Sequence, residues 1–371
     1  MATSTQVLRQ KPVLAAGPDV SRRFKAIKGW ALLGVAFLVV EVFAFTGWFT
    51  SGQFKQTPPG PTELPTWMKF TTRGWEVLGV LLAVASIYYF IYRPWRRNGR
   101  IGFDGLLVLA CYTVVWQDTM ANFFQPWLTY NAALVNHGSW DSQIPGWLSP
   151  FGHKITEPHV WVMSAFFWAF VPAAVAGCWL MRKMKQRWPN LGTLGLVGLL
   201  LGCFMIVDLV AEVGVWMPMG MFSYIGAPRG ITLFHGHYWQ FPVIEAVVMP
   251  GFWTACACLR YFRGDRGEIF VERGADDIRL SGKPRTGLRF LALTGFVNLA
   301  FLVIYSLPMA ITGLYADSYP KDVTSRSYFL NGLCGPGTPY ACPGPKVPIA
   351  RRGSVRLGVD GSLVVPSTRE R

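Results

Sequence analysis

The chain has 371 residues, of which 51% are hydrophobic and 15% charged, with 16 Trp and 26 Phe. Soluble domains carry about a quarter charged residues, so a water-facing surface over the whole molecule is excluded, and a soluble enzyme with it. The net charge of +15 does not point to nucleic acid, because the bases sit in short blocks at the ends of apolar stretches, where they anchor a membrane protein.

Met1 to Lys28 has no apolar core and ends in the bases Arg22, Arg23, Lys25 and Lys28. The apolar run that follows is too long for a removable signal peptide and lacks a small-residue cleavage site. Apolar stretches of about 20 residues then recur, the length a helix needs to cross a hydrocarbon core of ~30 Å. The first runs from Gly29 to Phe49 and the second from Trp75 to Tyr92, stopping at Arg93, Arg96, Arg97 and Arg100. The third begins near Phe103 and ends at Trp116, Gln117 and Asp118. The fourth, about His159 to Met181, stops at Arg182, Lys183, Lys185 and Arg187, and the fifth, about Leu191 to Val213, carries Asp208 and Glu212 in its last turns. The sixth runs from about Trp239 to Leu259 into Arg260, Arg263 and Arg266, and the seventh spans about Leu288 to Leu314.

This pattern predicts an all-α fold, a polytopic membrane helical bundle of about seven transmembrane helices. Threading the spans alternately gathers most short-loop bases on the side of the N-terminus and of loops 93–100, 182–190 and 260–288. The opposite loops, 50–74, 117–158 and 214–238, hold only Lys55, Lys69, Arg73, Lys154 and Arg229. By the positive-inside rule the expectation is a multi-pass protein of the cell membrane, N-terminus cytoplasmic and C-terminus outside. Residues 1–28 form a cytoplasmic segment, 29–315 the transmembrane domain, and 316–371 a poorly ordered low-complexity tail rich in Pro, Gly and Ser. Two tail cysteines, Cys334 and Cys342, are able to pair in an oxidising exterior. Cys111, Cys178, Cys203, Cys256 and Cys258 lie inside spans and read as small apolar filler. Four-ligand metal spacing, a phosphate loop, a nucleotide fingerprint and internal repeats are all missing, so neither metal nor cofactor is expected.

Ionisable groups inside spans are costly and tend to face a cavity or a partner. Asp208 and Glu212 are one helical turn apart on one face. Gln240 and Glu245 follow soon after the start of the next span, and Asp118 closes the third. All fall in the outer half of the threaded membrane, as does Glu76, while Glu41 is mid-span. A polar pocket open to the outer side would collect them. Two long exterior connections flank it. The first, Trp116 to Trp147, mixes Asn122, Asn131 and Asn136 with Trp127, Tyr130 and Trp140, and long loops are disproportionately functional. The second, Met217 to Trp239, holds Tyr224, Arg229, His235 and His237. The bland alternatives are an interfacial aromatic belt for the Trp and Tyr residues, a solvated or hydrogen-bonded pair for the histidines, and a loop cap or Glu212 partner for Arg229.

The stretches WQDTMANFFQPWLTYNAALVNHGSWDSQIPGW, QRWPNLG, DLVAE, PRGITLFHGHYWQFPVIE and RYFRGDRG together resemble the AveC-like spirocyclase family. The likeness runs from about Trp30 to Gly274 and leaves the tail outside. The resemblance implies a role like that of the family's name member, dehydration and stereochemical control of spiroketal formation in avermectin-type polyketide biosynthesis. It supplies no catalytic set. From the residues alone, Asp208 and Glu212 are candidates for an acid and base pair, with Glu245 the alternative acid and Asp118 a further carboxyl. Trp116, Gln117, Asn122, Asn131, Trp140, Tyr224, Arg229, His237 and Gln240 are the candidate contacts to a lipophilic small-molecule substrate. Membrane lipids are the other expected partner, and the oligomeric state stays open. A membrane terpene-type cyclase would use the same site features, and a non-catalytic lipid or small-molecule binding protein or transporter would use the carboxylates for recognition or proton coupling.

Overall fold

The computed structural model describes residues 20–365, apart from 265, 266, 276, 277, 279 and 280, with side chains from Ala26 onward. Most of the expected cytoplasmic segment 1–28, the side chains of Arg22, Arg23 and Lys25, residue Arg266 and the last six residues lie outside this description.

Each apolar stretch has become helix. The first is α1 (Val20–Thr50). The second is α2 (Thr66–Ser86), continued without a break by a π-helical turn, Ile87–Tyr92, and by α3 (Arg93–Asn98). Next come α4 (Phe103–Tyr112) and a 3-10 segment, Val115–Asn122. The pair α5 (Val162–Trp168) and α6 (Phe170–Arg187) bends at Ala169. Then follow α7 (Thr193–Ala211) with a π-helical end, Glu212–Trp216, and α8 (Glu245–Tyr261). The last apolar run is α9 (Gly282–Phe301), a third π-helical turn, Leu302–Ser306, and α10 (Leu307–Gly313). Among the described residues, five of these helical runs are long and apolar enough to cross a membrane: 26–50, 66–98, 162–187, 193–216 and 282–313. The other two apolar stretches form shorter helices, because α4 gives way to 3-10 turns after Tyr112 and α8 begins only at Glu245.

Helix packing rests on small residues and aromatic rings. Where α1 crosses α9, a Cβ on Gly34 would collide with the Leu291 carbonyl oxygen, and one on Gly295 with that of Trp30. The two backbones therefore touch, the close approach small residues permit in lipid-type packing. In the centre, Phe170 and Phe301 meet Phe252 edge to face at 5.1 and 4.9 Å between ring centroids, joining α6, α8 and α9. Along their outward faces the helices expose Leu32, Val39, Phe70, Leu81, Leu194, Ile206 and Val210, an apolar surface that suits hydrocarbon and not water.

One end of the bundle is capped by a layer built from loops 117–161 and 217–244 and from the tail. The strands β1 (Thr129–Tyr130) and β2 (Phe222–Ser223) tie the two loops together, with Tyr130 opposite Phe222. Asn122 holds the first loop by accepting from the Trp127 and Leu128 backbone N–H groups and donating to the Leu128 carbonyl at 2.8 Å. The expectation of a poorly ordered tail from Ala316 is corrected here. Its aromatic residues have a surface to bury against, for which no periodicity is needed. Tyr328 and Phe329 are fully buried in α12 (Ser327–Leu330), which follows α11 (Lys321–Thr324). Thr129 Oγ1 donates to the Phe329 carbonyl at 2.6 Å and the Tyr319 hydroxyl to that of Pro126 at 2.8 Å. Cys334 and Cys342 form a disulfide, and a small hairpin, Arg356–Leu357 with Leu363–Val364, closes the described chain.

Candidate functional site

Under the capping layer lies a cavity with about 730 Å³ of unfilled space, its open mouth included. Three carboxyls line it, Asp118, Glu212 and Glu245, with three phenols, Tyr130, Tyr224 and Tyr305, and four indoles, Trp161, Trp168, Trp216 and Trp253. Local structure delivers each acid. The 3-10 turn after α4 points Asp118 inward, the π-helical end of α7 carries Glu212 and Trp216, and Glu245 occupies the first turn of α8, where a helix favours an acidic side chain. Tyr305 comes from the π-helical turn after α9. Isolated π-turns of this kind are frequent at functional sites.

The carboxyls fall into two groups, each with a tyrosine. Tyr224 lines the cavity together with Glu212 and Glu245, close enough for its phenol to interact electrostatically with both carboxyls. The Tyr130 hydroxyl donates to Asp118 Oδ2 at 2.7 Å. Burial, reinforced by these carboxyls, holds both phenols well above their usual range, so each remains a proton-bearing donor. Among the described residues that line the cavity, no Lys, Arg or His answers the acids. Glu212 Oε2 and Glu245 Oε2 have no protein donor, and neither does either oxygen of Asp208. Buried acids without a cationic partner are expensive, so their grouping asks for a role. The indole N–H groups of Trp161, Trp168, Trp216 and Trp253 likewise have no protein acceptor.

The sequence-derived site residues divide unequally. Asp118, Glu212 and Glu245 line the cavity, and Asp208 lies one turn behind Glu212, fully buried, outside the lining. Tyr224 is in the wall, and Gln240 supports it by donating to the Tyr224 carbonyl at 2.7 Å. The remaining candidates have protein partners elsewhere. Trp116 and Gln117 donate to Asn298 Oδ1, both at 3.0 Å, and Gln117 also accepts from Ser306. Trp140 donates to the Trp116 carbonyl, Asn131 to that of Gly220, and Asn122 braces its own loop. Arg229 pairs with Asp317 at 3.1 Å and not with Glu212, while His237 stacks on Trp239. Of the two acids left open, Glu76 pairs with Arg73 and accepts from the Val135 N–H at 2.6 Å, and Glu41 is buried on α1; neither lines the cavity.

The site also uses residues that the sequence reading did not single out. Trp216 follows Glu212 by four positions and Trp253 follows Glu245 by eight, spacings that share a helical face. Those two were open to detection. Trp161 and Tyr305 carried no such local signal. Among the described residues, no group of three or more His, Cys, Asp or Glu is arranged to hold a metal ion.

Apolar helices gathered around a cavity of acids, phenols and indoles define a class, a helical protein compatible with membrane association that encloses a polar and aromatic cavity. The family described as Spirocyclase AveC-like matches residues 95–329, more than half of the chain, and the chain belongs to that family. No curated protein and no solved structure matches it. The matched region starts later than the resemblance suggested and runs past Ala316 to α12, so the first part of the tail belongs to the family region. Every residue lining the cavity falls within it.

Proposed function

We propose that this protein is an integral membrane cyclase that dehydrates and closes a hydroxyketone of a lipophilic, polyketide-type substrate. The observation that carries this reading is the cavity wall, where Glu212, Glu245 and Tyr224 stand among aromatic rings and no Lys, Arg or His is among the described lining residues. A hemiketal formed from a dihydroxyketone must lose its hydroxyl as water, leaving an oxocarbenium ion that the second hydroxyl traps. One carboxylic acid donates the proton that leaves with water, and a carboxylate accepts the proton released on closure. Glu212 and Glu245 suit these two duties better than Asp208, which is buried behind the wall. Tyr224 orients both. In this reading the rings of Trp161 and Trp216 in the cavity wall stabilise a passing cation, and the enclosure holds a flexible chain in one reacting conformer.

The same reading places the protein in the cell membrane with seven crossings, α4 with its 3-10 extension and α8 supplying the two shorter ones. The N-terminus is cytoplasmic and the capping layer outside. The basic ends of α3, α6 and α8 support this orientation. So does the Cys334–Cys342 disulfide at the opposite end of the bundle, since disulfides persist in oxidising surroundings.

The direct test mixes purified protein in lipid nanodiscs with a lipophilic dihydroxyketone and follows spiroketal yield and stereochemistry. Accelerated, stereochemically biased closure supports a cyclase. Tight binding without turnover would favour a binding protein, and turnover of a polyene in its place would favour a terpene-type cyclase.

A further inference from the structure

A second set of buried acids stands beside the cavity, and the chemistry proposed above makes no use of it. Glu157, in the loop preceding Pro158, is 1% exposed, and neither of its carboxyl oxygens has a protein donor. Its carboxyl lies within hydrogen-bonding reach of Asp118, which faces the cavity. Two carboxyls make such a bond only if one of them keeps its proton. Behind them lies Asp141, fully buried, with Oδ1 accepting from Ser139 at 2.6 Å. The groups facing Glu157 are Asp118, Asp141 and Tyr130, and those facing Asp118 from the far side are Glu212, Glu245 and Tyr305. All are acids or phenols. Burial and this company push Glu157 well above the usual carboxyl range.

Structural explanations for the pair are thin. A carboxyl retained only to hold the loop would be expected to bond backbone N–H groups, as Glu76 does with Val135. Glu157 instead contributes its own backbone N–H, to the Gly138 carbonyl at 3.2 Å, and sends its side chain to another acid. We propose that Asp118 and Glu157 hold a single proton between them. Glu157 is then a positioning residue, which keeps Asp118 able to give or take a proton at the cavity wall. This rests on the cyclase reading only for its purpose. A cyclisation that moves one proton to the departing water and one to a base ends with its acid and base exchanged. A dyad already holding one proton can pass it to the spent acid and take up the proton left on the base, which returns all the groups to their starting state.

The number of shared protons is measurable without substrate. Infrared spectra of the full chain in nanodiscs, recorded in H₂O and in D₂O, report protonated carboxyls through their C=O stretch. Relative to wild type, the double variant Asp118→Asn with Glu157→Gln should lose one protonated carboxyl, because removing only one of the pair leaves the other free to keep the proton. Loss of two in the double variant would mean two independent neutral acids and would overturn the proposal. Loss of none would mean both are ionised and would overturn it equally. A second double variant, Asp118→Asn with Glu157→Leu, reads the same proton, so one that misfolds leaves the other to decide. A protein without cyclase activity that still shows one shared proton would retire the cyclase reading and keep the dyad.

Discussion

Glu212, in the π-helical end of α7, and Glu245, in the first turn of α8, face one cavity, and the phenol of Tyr224 interacts with both carboxyls there. A phenol has one proton to donate, so it can bond one carboxylate while accepting from the other carboxyl if that one is protonated. The arrangement distinguishes an acid from a base without any difference between the two residues themselves.

Tyr224→Phe removes this shared group and keeps the ring. A hydrogen bond to a charged group is worth about 1.5–3 kcal/mol, so turnover should fall roughly 10- to 100-fold with little change in thermal midpoint. Steady-state kinetics alongside a melting curve separate that outcome from a folding defect.

Asp141 supplies a dependence of stability on pH. Burial pushes its carboxyl up to about 8, against about 3.9 in an unfolded chain, so the fold favours the protonated form. Its stabilisation is complete at pH values below the unfolded one and is lost as pH rises toward 8. The melting midpoint should therefore decline between pH 5 and 8. Asp141→Asn, which mimics the protonated acid and can still accept from Ser139, should flatten part of that decline.

Gly34 and Gly295 set the approach of α1 to α9. Gly34→Ala forces a Cβ against the Leu291 carbonyl, and overpacking of this kind costs about 1–3 kcal/mol. Gly198→Ala, on α7 with nothing within 4 Å of the added Cβ, should be neutral. Parallel thermal scans in detergent compare the two directly.

Much of the helical scaffold was legible because lipid-length apolar runs and their basic stops are a one-dimensional signal. The acids were legible for a related reason: Asp118, Glu212 and Glu245 stand out only because their surroundings are apolar. The lids read less well. Trp116, Gln117, Asn131 and Trp140 have the composition of a binding surface, yet their polar atoms are consumed in holding the capping layer, a distinction that depends on partners such as Asn298 far along the chain. The tail misled for the opposite reason, since Tyr319, Tyr328 and Phe329 pack irregularly and leave no period to detect.

Orientation is testable by thiol chemistry. Arg97 and Ser142 are both exposed at the surface and lie in regions assigned to opposite sides. A cysteine placed at Ser142 should react with an impermeant reagent in intact cells, and one at Arg97 should react only after permeabilisation. The reverse pattern would invert the topology and set the Cys334–Cys342 disulfide in a reducing compartment.

The most direct measurement compares Glu212→Gln and Glu245→Gln with wild type on a dihydroxyketone substrate, recording rate, substrate affinity and product stereochemistry together. The amides keep size and shape but cannot exchange a proton. Turnover is expected to fall by about 10²–10⁴-fold, the usual worth of a positioned acid or base, with affinity little changed and any remaining product formed as the uncatalysed stereochemical mixture. Wild-type rate and wild-type product ratio in both variants would contradict the assignment of these two carboxyls to the chemistry.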